Sequence, residues 1–218
     1  MGDPTQQVFW FASRAFGITA MIGLAVSVAL GLAMSGRLVR RPGLPAKLKH
    51  AHESLTLVTL ALIVVHAGLL LFDAYLRPGL VGITVPFALG YRPAFTGIGI
   101  IAGWLTAILG LSFYARKWIG TKTWRFMHRF TILAYFLALG HAVGAGTDAR
   151  SPWMIALLTG LTTPIIFAFT YRMLPSAPSA RQAVKRPARS SQGQSRAASA
   201  TARSRQTGRG RAHVPEPL

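Results

Sequence analysis

The chain contains no cysteine among its 218 residues. Disulfide bonds, iron–sulfur clusters and covalently attached c-type haem all require cysteine, so any redox cofactor of this chain needs other ligands. Charged residues are also scarce, at 13% of the sequence, whereas hydrophobic residues make up 51%. With a mean hydropathy of +0.41, the composition is too apolar for a soluble domain of this size and predicts an integral membrane protein.

Five apolar segments each approach the ~20 residues that a helix needs to cross a bilayer. The first has no basic region ahead of it and is longer than the apolar core of a secretory signal, which favours an uncleaved helix. The sequence therefore predicts an all-α membrane bundle of about five transmembrane helices within a domain of residues 1–174. The segments lie at about 9–34, 52–75, 94–115, 127–147 and 152–173.

Basic residues in short loops mark the cytoplasmic side of a membrane protein. Two of the predicted loops are strongly basic, and they contain Arg37, Arg40, Arg41, Lys47 and Lys49, and then Arg116, Lys117, Lys122 and Arg125. The opposite face is less basic, with Arg77, Arg92 and Arg150 beside Asp148, and Asp3 near the amino terminus. We therefore expect a multi-pass protein of the inner (plasma) membrane with its N-terminus outside and its C-terminus in the cytoplasm.

Residues 175–218 differ in composition from the rest of the chain. They contain nine basic residues, one acid, five prolines and no aromatic residue. Such a segment cannot bury a core, so we expect a disordered, basic cytoplasmic tail. This composition is typical of a solvated extension or of a segment that is attracted to anionic lipid headgroups. Nucleic acid is a less favoured partner, because the segment has no aromatic residues on which bases could stack.

Two pairs of histidines lie within the apolar segments. His52 and His66 are 14 residues apart, and His128 and His141 are 13 apart. At 1.5 Å per helical residue each interval covers roughly 20 Å, which is most of the ~30 Å hydrocarbon layer. Imidazole is costly in hydrocarbon unless it has a partner, and iron is one of the few partners that serves at both ends of a membrane. The pattern predicts two haems, although four unrelated polar residues packed between helices would give the same spacing.

The predicted topology decides how the histidines pair. The second and fourth spans both begin in the cytoplasm, so they run in parallel, and we expect axial pairs His52–His128 and His66–His141. Fourteen residues return a helix to within roughly 40° of its starting face, whereas thirteen leave it roughly 140° away. The fourth span must therefore twist or bulge, or address its cofactors from different sides, and Gly140 would ease close porphyrin approach or a distortion.

Other residues are candidates for supporting roles. His50 could replace His52, but its 16-residue interval to His66 fits one helix face less well, and His213 in the tail is expected to be inert. Haem propionates would pair with cations at the membrane edges, for which the candidates are Lys122, Arg125 and Arg129 on the inner side and Arg14 and Arg92 on the outer. Alternatively, these cations contact lipid headgroups or set topology. Carboxylates that could orient ligands or pair with these bases are Glu53 and Asp73.

The stretch Trp124-Arg125-Phe126-Met127-His128-Arg129, followed by an apolar run to His141, resembles the fourth helix of the ferric reductase-like transmembrane domain superfamily. That superfamily includes the haem domains of NADPH oxidases and ferric reductases, and the haem-binding subunit of bacterial periplasmic methionine sulfoxide reductase. Its flavocytochromes have histidine pairs with the same 14- and 13-residue spacing. The segments Ser13-Arg14-Ala15-Phe16-Gly17, Val85-Pro86-Phe87 and Tyr91-Arg92-Pro93 also look like bacterial members.

The resemblance covers roughly residues 8–173 and implies b-type haem and transmembrane electron transfer. Flavocytochromes of this family usually add a sixth helix and a cytoplasmic flavin and nicotinamide module, neither of which we expect in this chain. Its glycine cluster at Gly97, Gly99 and Gly103 has the wrong spacing for a dinucleotide fingerprint, and we interpret Gly99 and Gly103 as a GxxxG helix contact. We expect a separate electron donor, either a flavoprotein or a quinol, and an external acceptor such as ferric iron or a reductase subunit.

The competing hypothesis from the sequence is a membrane scaffold or metal permease without redox function. In that case the intramembrane histidines would bind a transition metal or pack between helices.

Overall fold

The computed structural model describes residues 4–35 and 44–174. These residues form helices and connecting loops with no β-strand, and five of the helices are long and apolar enough to cross a membrane. The predicted all-α class and the count of five spans are confirmed, and the protein is a multi-pass membrane protein. The predicted disordered tail, the basic residues at 37–41 and Asp3 fall outside the described residues.

Seven helices follow one another along the described chain. Their bounds are α1 Pro4–Ser35, α2 Leu44–Leu70, α3 Gly79–Thr84, α4 Pro93–Ile119, α5 Thr121–Met127, α6 Thr131–Ala145 and α7 Pro152–Met173. The predicted boundaries at 52–75 and 127–147 need correction. The second span begins before residue 52 and ends at Leu70, where a turn starts, and the fourth span begins at Thr121 and comprises α5 and α6.

The fourth span contains the distortion that the helical phase of its histidines requires. Between α5 and α6, residues His128–Phe130 form one turn of 3₁₀-helix. A 3₁₀ turn advances about 120° per residue instead of about 100°, so three such residues reduce the mismatch between His128 and His141 from roughly 140° to roughly 80°. Of the three alternatives that the sequence left open, the structure shows a twist, which removes part of the mismatch.

Three of the long helices share the main apolar core. Tyr135 of α6 and Ile165 of α7 are fully buried there and pack with residues of α1: Met21, Leu24, Ala25 and Val28. The Tyr135 hydroxyl donates to Oγ1 of Thr162 at 2.8 Å, because Thr162 gives its own proton to the Leu158 carbonyl. The core thus holds α6 and α7 against α1 and satisfies the polar atoms that it buries.

Helix α2 is the least covered of the long helices. Only 6% of the apolar 18-residue stretch of α2 is buried within the protein, compared with 39% of the corresponding stretch of α1. One face packs along α1, and much of the rest is exposed and apolar, as at Val58 and Val64. An exposed apolar face of this length suits contact with lipid hydrocarbon.

A folded loop connects α2 to α4 and fixes the start of α4. The Trp104 indole N–H donates to the Thr84 carbonyl at 2.9 Å, which ties α3 to α4. Arg92, at the N-cap of α4, has a left-handed backbone with φ of 43° and donates to the Gly144 carbonyl at 2.7 Å. These bonds fix the first turn of α4 against the end of α6.

Candidate functional site

The structure brings the four intramembrane histidines together as two pairs. The ring centroids of His52 and His128 lie 6.1 Å apart, and those of His66 and His141 lie 6.3 Å apart. The ring planes within the pairs are inclined at 88° and 74°. These are the two juxtapositions that the topology predicts, and they require α2 and α6 to run in parallel.

The separation within each pair matches two imidazoles that share a metal ion. With metal–nitrogen distances of about 2.0–2.1 Å on opposite sides of one ion, the two ring centroids lie about 6 Å apart. Rings in direct contact edge to face have a similar separation, so the spacing needs support from the atoms around each ring. The hydrogen bonds of the ring nitrogens provide that support.

His66 is held by one turn of α1. Its Nδ1 lies 2.7 Å from the carbonyl oxygen of Ser13 and 3.2 Å from the Ser13 hydroxyl, which itself donates to the His66 carbonyl at 2.9 Å. Because a carbonyl oxygen only accepts, Nδ1 of His66 must have the proton. A Cβ built on Gly17, four residues after Ser13, would lie 2.8 Å from Nδ1, so the ring occupies the space that glycine leaves open.

His52 is held by a chain of three hydrogen bonds between α1 and α2. Thr56 donates to the His52 carbonyl at 2.8 Å, so its Oγ1 accepts from Ser27 at 2.9 Å. Ser27 has then used its proton, and at 3.2 Å it accepts from Nδ1 of His52. The chain ends on a carbonyl, which again places the ring proton on Nδ1. A Cβ on Gly31, four residues after Ser27, would lie 3.6 Å from the ring.

His141 is held by the first turns of α4. Its Nδ1 lies 2.9 Å from the Phe95 carbonyl oxygen, which requires a proton on Nδ1. A Cβ on Gly99, four residues after Phe95, would overlap the ring at Nδ1, Cγ and Cε1. Gly99 and Gly103 therefore both lie at helix contacts, as the sequence indicated, but they face different helices: Gly99 faces the ring of His141 in α6, and Gly103 faces Ile63 in α2.

His128 departs from this arrangement. Its ring approaches the backbone of Leu109, but within the described ranges its buried Nδ1 has no hydrogen bond of normal geometry. Four residues after Leu109 the chain has Phe113, where the other three sites have glycine. The ring stacks instead on Trp124, with centroids 5.2 Å apart and planes inclined at 28°.

Three of the four histidines thus share one local pattern, in which a residue that accepts from Nδ1 is followed four positions later by glycine. On a helix these two positions lie on the same face, one above the other. The pattern was missed in the sequence, although a signal exists. Two Ser-x₃-Gly segments on α1, Ser13–Gly17 and Ser27–Gly31, are 14 residues apart, which equals the interval between the histidines of α2.

The proton positions determine which ring atom can bind a ligand. With Nδ1 protonated in His52, His66 and His141, the lone pair of Nε2 is available, and no hydrogen bond between described residues uses Nε2 of any of the four. A hydrogen bond from the second ring N–H is typical of histidines that bind metals. No group of three or more His, Cys, Asp or Glu residues lies together in residues 4–35 and 44–174.

The remaining candidates at the end of the bundle that contains His52 and His128 are placed as follows. His50 is exposed, so His52 is the histidine of α2 that meets His128. Arg125, in the last turn of α5, and Arg129, in the 3₁₀ turn, are exposed next to His128, and their pairing with propionates stays a prediction. Gly140 faces Ile98 of α4, where a Cβ would be 3.1 Å away, so it serves helix packing.

The charged candidates on the opposite side have partners within the protein. Arg14 forms an ion pair with Asp148, which connects α1 to the loop before α7. Asp73 accepts from the backbone N–H groups of Tyr75 and Leu76, so it shapes the turn after α2 instead of orienting a histidine. Glu53, at the other end of α2, likewise accepts from the Tyr114 hydroxyl at 3.0 Å.

No protein-family model, curated protein or solved structure matches this chain.

Proposed function

We propose that the protein is a membrane-embedded b-type cytochrome that passes electrons from a cytoplasmic donor across the bilayer to an external acceptor. The observation that most strongly supports this proposal is that one bundle contains two histidine pairs at two depths. In each pair the distance between ring centroids fits two imidazoles that bind one metal ion. His52 with His128 and His66 with His141 would each hold one haem, which would supply one-electron redox chemistry.

The donor set favours haem over a bare metal ion. A structural or transported zinc ion takes about four protein ligands, whereas each pair offers two imidazoles without a third His, Cys, Asp or Glu nearby in the described ranges. Haem needs only the two axial ligands from the protein. The alternative of a metal permease is therefore less well supported by these residues.

Charge and topology support the direction of transfer. The described basic residues Lys47, Lys49, Arg116 and Lys117 cluster at the end of the bundle that contains His52 and His128. At the other end the charge of Arg14 is neutralised by Asp148. Under the positive-inside rule the His52–His128 pair would face the cytoplasm, and the His66–His141 pair would face the external acceptor.

Reporter fusions test this orientation. We expect a reporter inserted at residue 120, between α4 and α5, to be cytoplasmic, and one inserted at residue 148 to be external, because the loops next to α5 are strongly basic. Alkaline phosphatase and a reporter that is active only in the cytoplasm are each fused at both residues, so that the two activities can be compared at each site. Cytoplasmic activity at residue 148 would reverse the proposed direction.

Haem binding tests the function itself. We expect the purified full-length protein to show a Soret band and about two b-type haems per chain by the pyridine haemochrome assay. His52→Ala should reduce the content to about one, because it removes half of an axial pair. His50→Ala is the matched control, since this exposed residue is two positions away and should leave the content unchanged. Colourless wild-type protein, produced with ample haem, would refute the proposal.

A further inference from the structure

The two histidine pairs differ in how their rings are held. In the pair His66–His141 both Nδ1 atoms lie within 3 Å of a backbone carbonyl oxygen, that of Ser13 at 2.7 Å and that of Phe95 at 2.9 Å. In the other pair, the hydrogen bond of normal geometry that His52 makes is the longer one to the Ser27 hydroxyl, at 3.2 Å, although its ring also approaches the Ser27 backbone. Nδ1 of His128 has no partner among the described residues.

A hydrogen bond from Nδ1–H makes the imidazole a stronger electron donor through Nε2. A stronger donor favours the oxidised metal, so the ratio of reduced to oxidised iron falls at a given ambient potential. On this basis the pair His66–His141, with two short bonds to carbonyl oxygens, favours ferric iron more than the pair His52–His128 does.

Positive charge lies near both pairs. Near His128, the Lys49 ammonium lies 5.6 Å from the ring centroid of Phe113 and the Arg116 guanidinium lies 3.8 Å from it, while Phe113 contacts Trp124, on which His128 stacks. Nearby positive charge stabilises the form with one more electron. At the opposite end Arg14 is neutralised by Asp148, but Arg92 donates to the Gly144 carbonyl, three residues after His141, so the ranking of the two pairs rests on the hydrogen bonds of their rings.

We propose that Ser27, Ser13 and the Phe95 carbonyl are positioning groups that set the ring protons of their histidines, and that their unequal bonding makes His52–His128 the site of higher reduction potential. This inference rests on the proposed function, since it concerns the metal that the pairs would bind. His128 differs from the other three histidines in that stacking on Trp124, and not a hydrogen bond from Nδ1, fixes its ring among the described residues.

Ser27→Ala tests the assignment. Equilibrium redox titration of the full-length wild type should resolve two midpoints, and His66→Ala, which retains the His52–His128 site, should keep the higher one. Ser27→Ala should raise the higher midpoint potential further, because Nδ1–H of His52 loses the Ser27 hydroxyl that accepts its hydrogen bond. We expect about a tenfold rise in the ratio of reduced to oxidised haem at fixed ambient potential, which is about 59 mV for a one-electron couple. The matched control is Thr19→Val on α1, whose hydroxyl only bonds to the Ala15 carbonyl of its own helix.

A second measurement does not depend on redox behaviour. In ¹⁵N spectra of histidine-labelled, reduced full-length protein, three intramembrane histidines should show a hydrogen-bonded Nδ1–H, and the fourth should not. Ser27→Ala should change this signature for His52 alone. The spectrum can be read from haem-free protein as well, so absence of haem would refute the proposed function without deciding the ring protons.

Three results of the redox titrations would overturn the inference. They are coincident midpoint potentials in the wild type, retention of the lower of the two midpoints in His66→Ala, and unchanged midpoints in a Ser27→Ala variant that still binds two haems. An Nδ1–H signature shared by all four histidines would also do so.

Discussion

Replacing His66 with alanine is expected to abolish electron delivery to external acceptors while reduction from the cytoplasmic side persists. On the proposed function the variant loses one of the two histidines that would hold the outer haem, and the other pair lies roughly 20 Å away along the helices, so its histidines are untouched. His128→Ala should give the opposite result and block reduction by a cytoplasmic donor. In vesicles of known orientation, reduced-minus-oxidised spectra with donors and acceptors that cannot cross the membrane measure both steps.

His50→Ala is again the control, since its ring is exposed and outside both pairs. If both alanine variants keep the wild-type transmembrane rate and haem content, the four-histidine assignment is wrong. If each variant loses both haems, the pairs are not independent sites.

Gly99→Ala is expected to empty the His66–His141 site without touching any histidine. The added methyl group would overlap the ring of His141, which must leave the Phe95 carbonyl and its position opposite His66. Haem content should fall from about two to about one per chain, and the midpoint assigned to the outer site should disappear. Quantitative haemochrome analysis and redox titration follow both effects.

Gly103→Ala provides the matched control on the same helix. A Cβ at this position would lie 3.6 Å from Ile63, which is an ordinary van der Waals contact. Both variants replace glycine with the best helix former, so helix propensity does not distinguish them. Equal haem content in Gly99→Ala and Gly103→Ala would contradict the role assigned to Gly99.

The sequence predicts the helices and the histidine pairs for a physical reason. Apolar length and loop charge act over whole segments, and parallel direction follows from the count of spans, so His52 with His128 and His66 with His141 could be paired without coordinates. An irregularity in the fourth span was also predictable, because a 13-residue interval violates helical periodicity, but its form and its position at His128 were not.

The groups that hold the rings were not predicted. Ser13 and Gly17 stood out only as part of a family resemblance, and Ser27, Thr56 and Phe95 were not singled out. Phe95 acts through its backbone carbonyl, which any residue type would supply, so the sequence has no signal for it. Ser27 depends on the antiparallel register of α1 and α2, which apolar patterning alone leaves undetermined. Gly99 was interpreted through a motif that describes helix contacts and ignores what side chain fills the gap.

The pairing of each histidine with its support has a consequence for how the bundle is assembled. His52 and His66 are held by α1, the helix made before theirs, and His141 is held by α4, the long helix made before its own. During synthesis these three histidines would therefore emerge onto a support already inserted, in two successive hairpins. These hairpins, α1–α2 and α4–α6, have the most extensive helix contacts in the domain. A cofactor bound between His52 and His128, or between His66 and His141, would link one hairpin to the other. It would therefore stabilise the contact between two parts of the bundle that are synthesised one after the other.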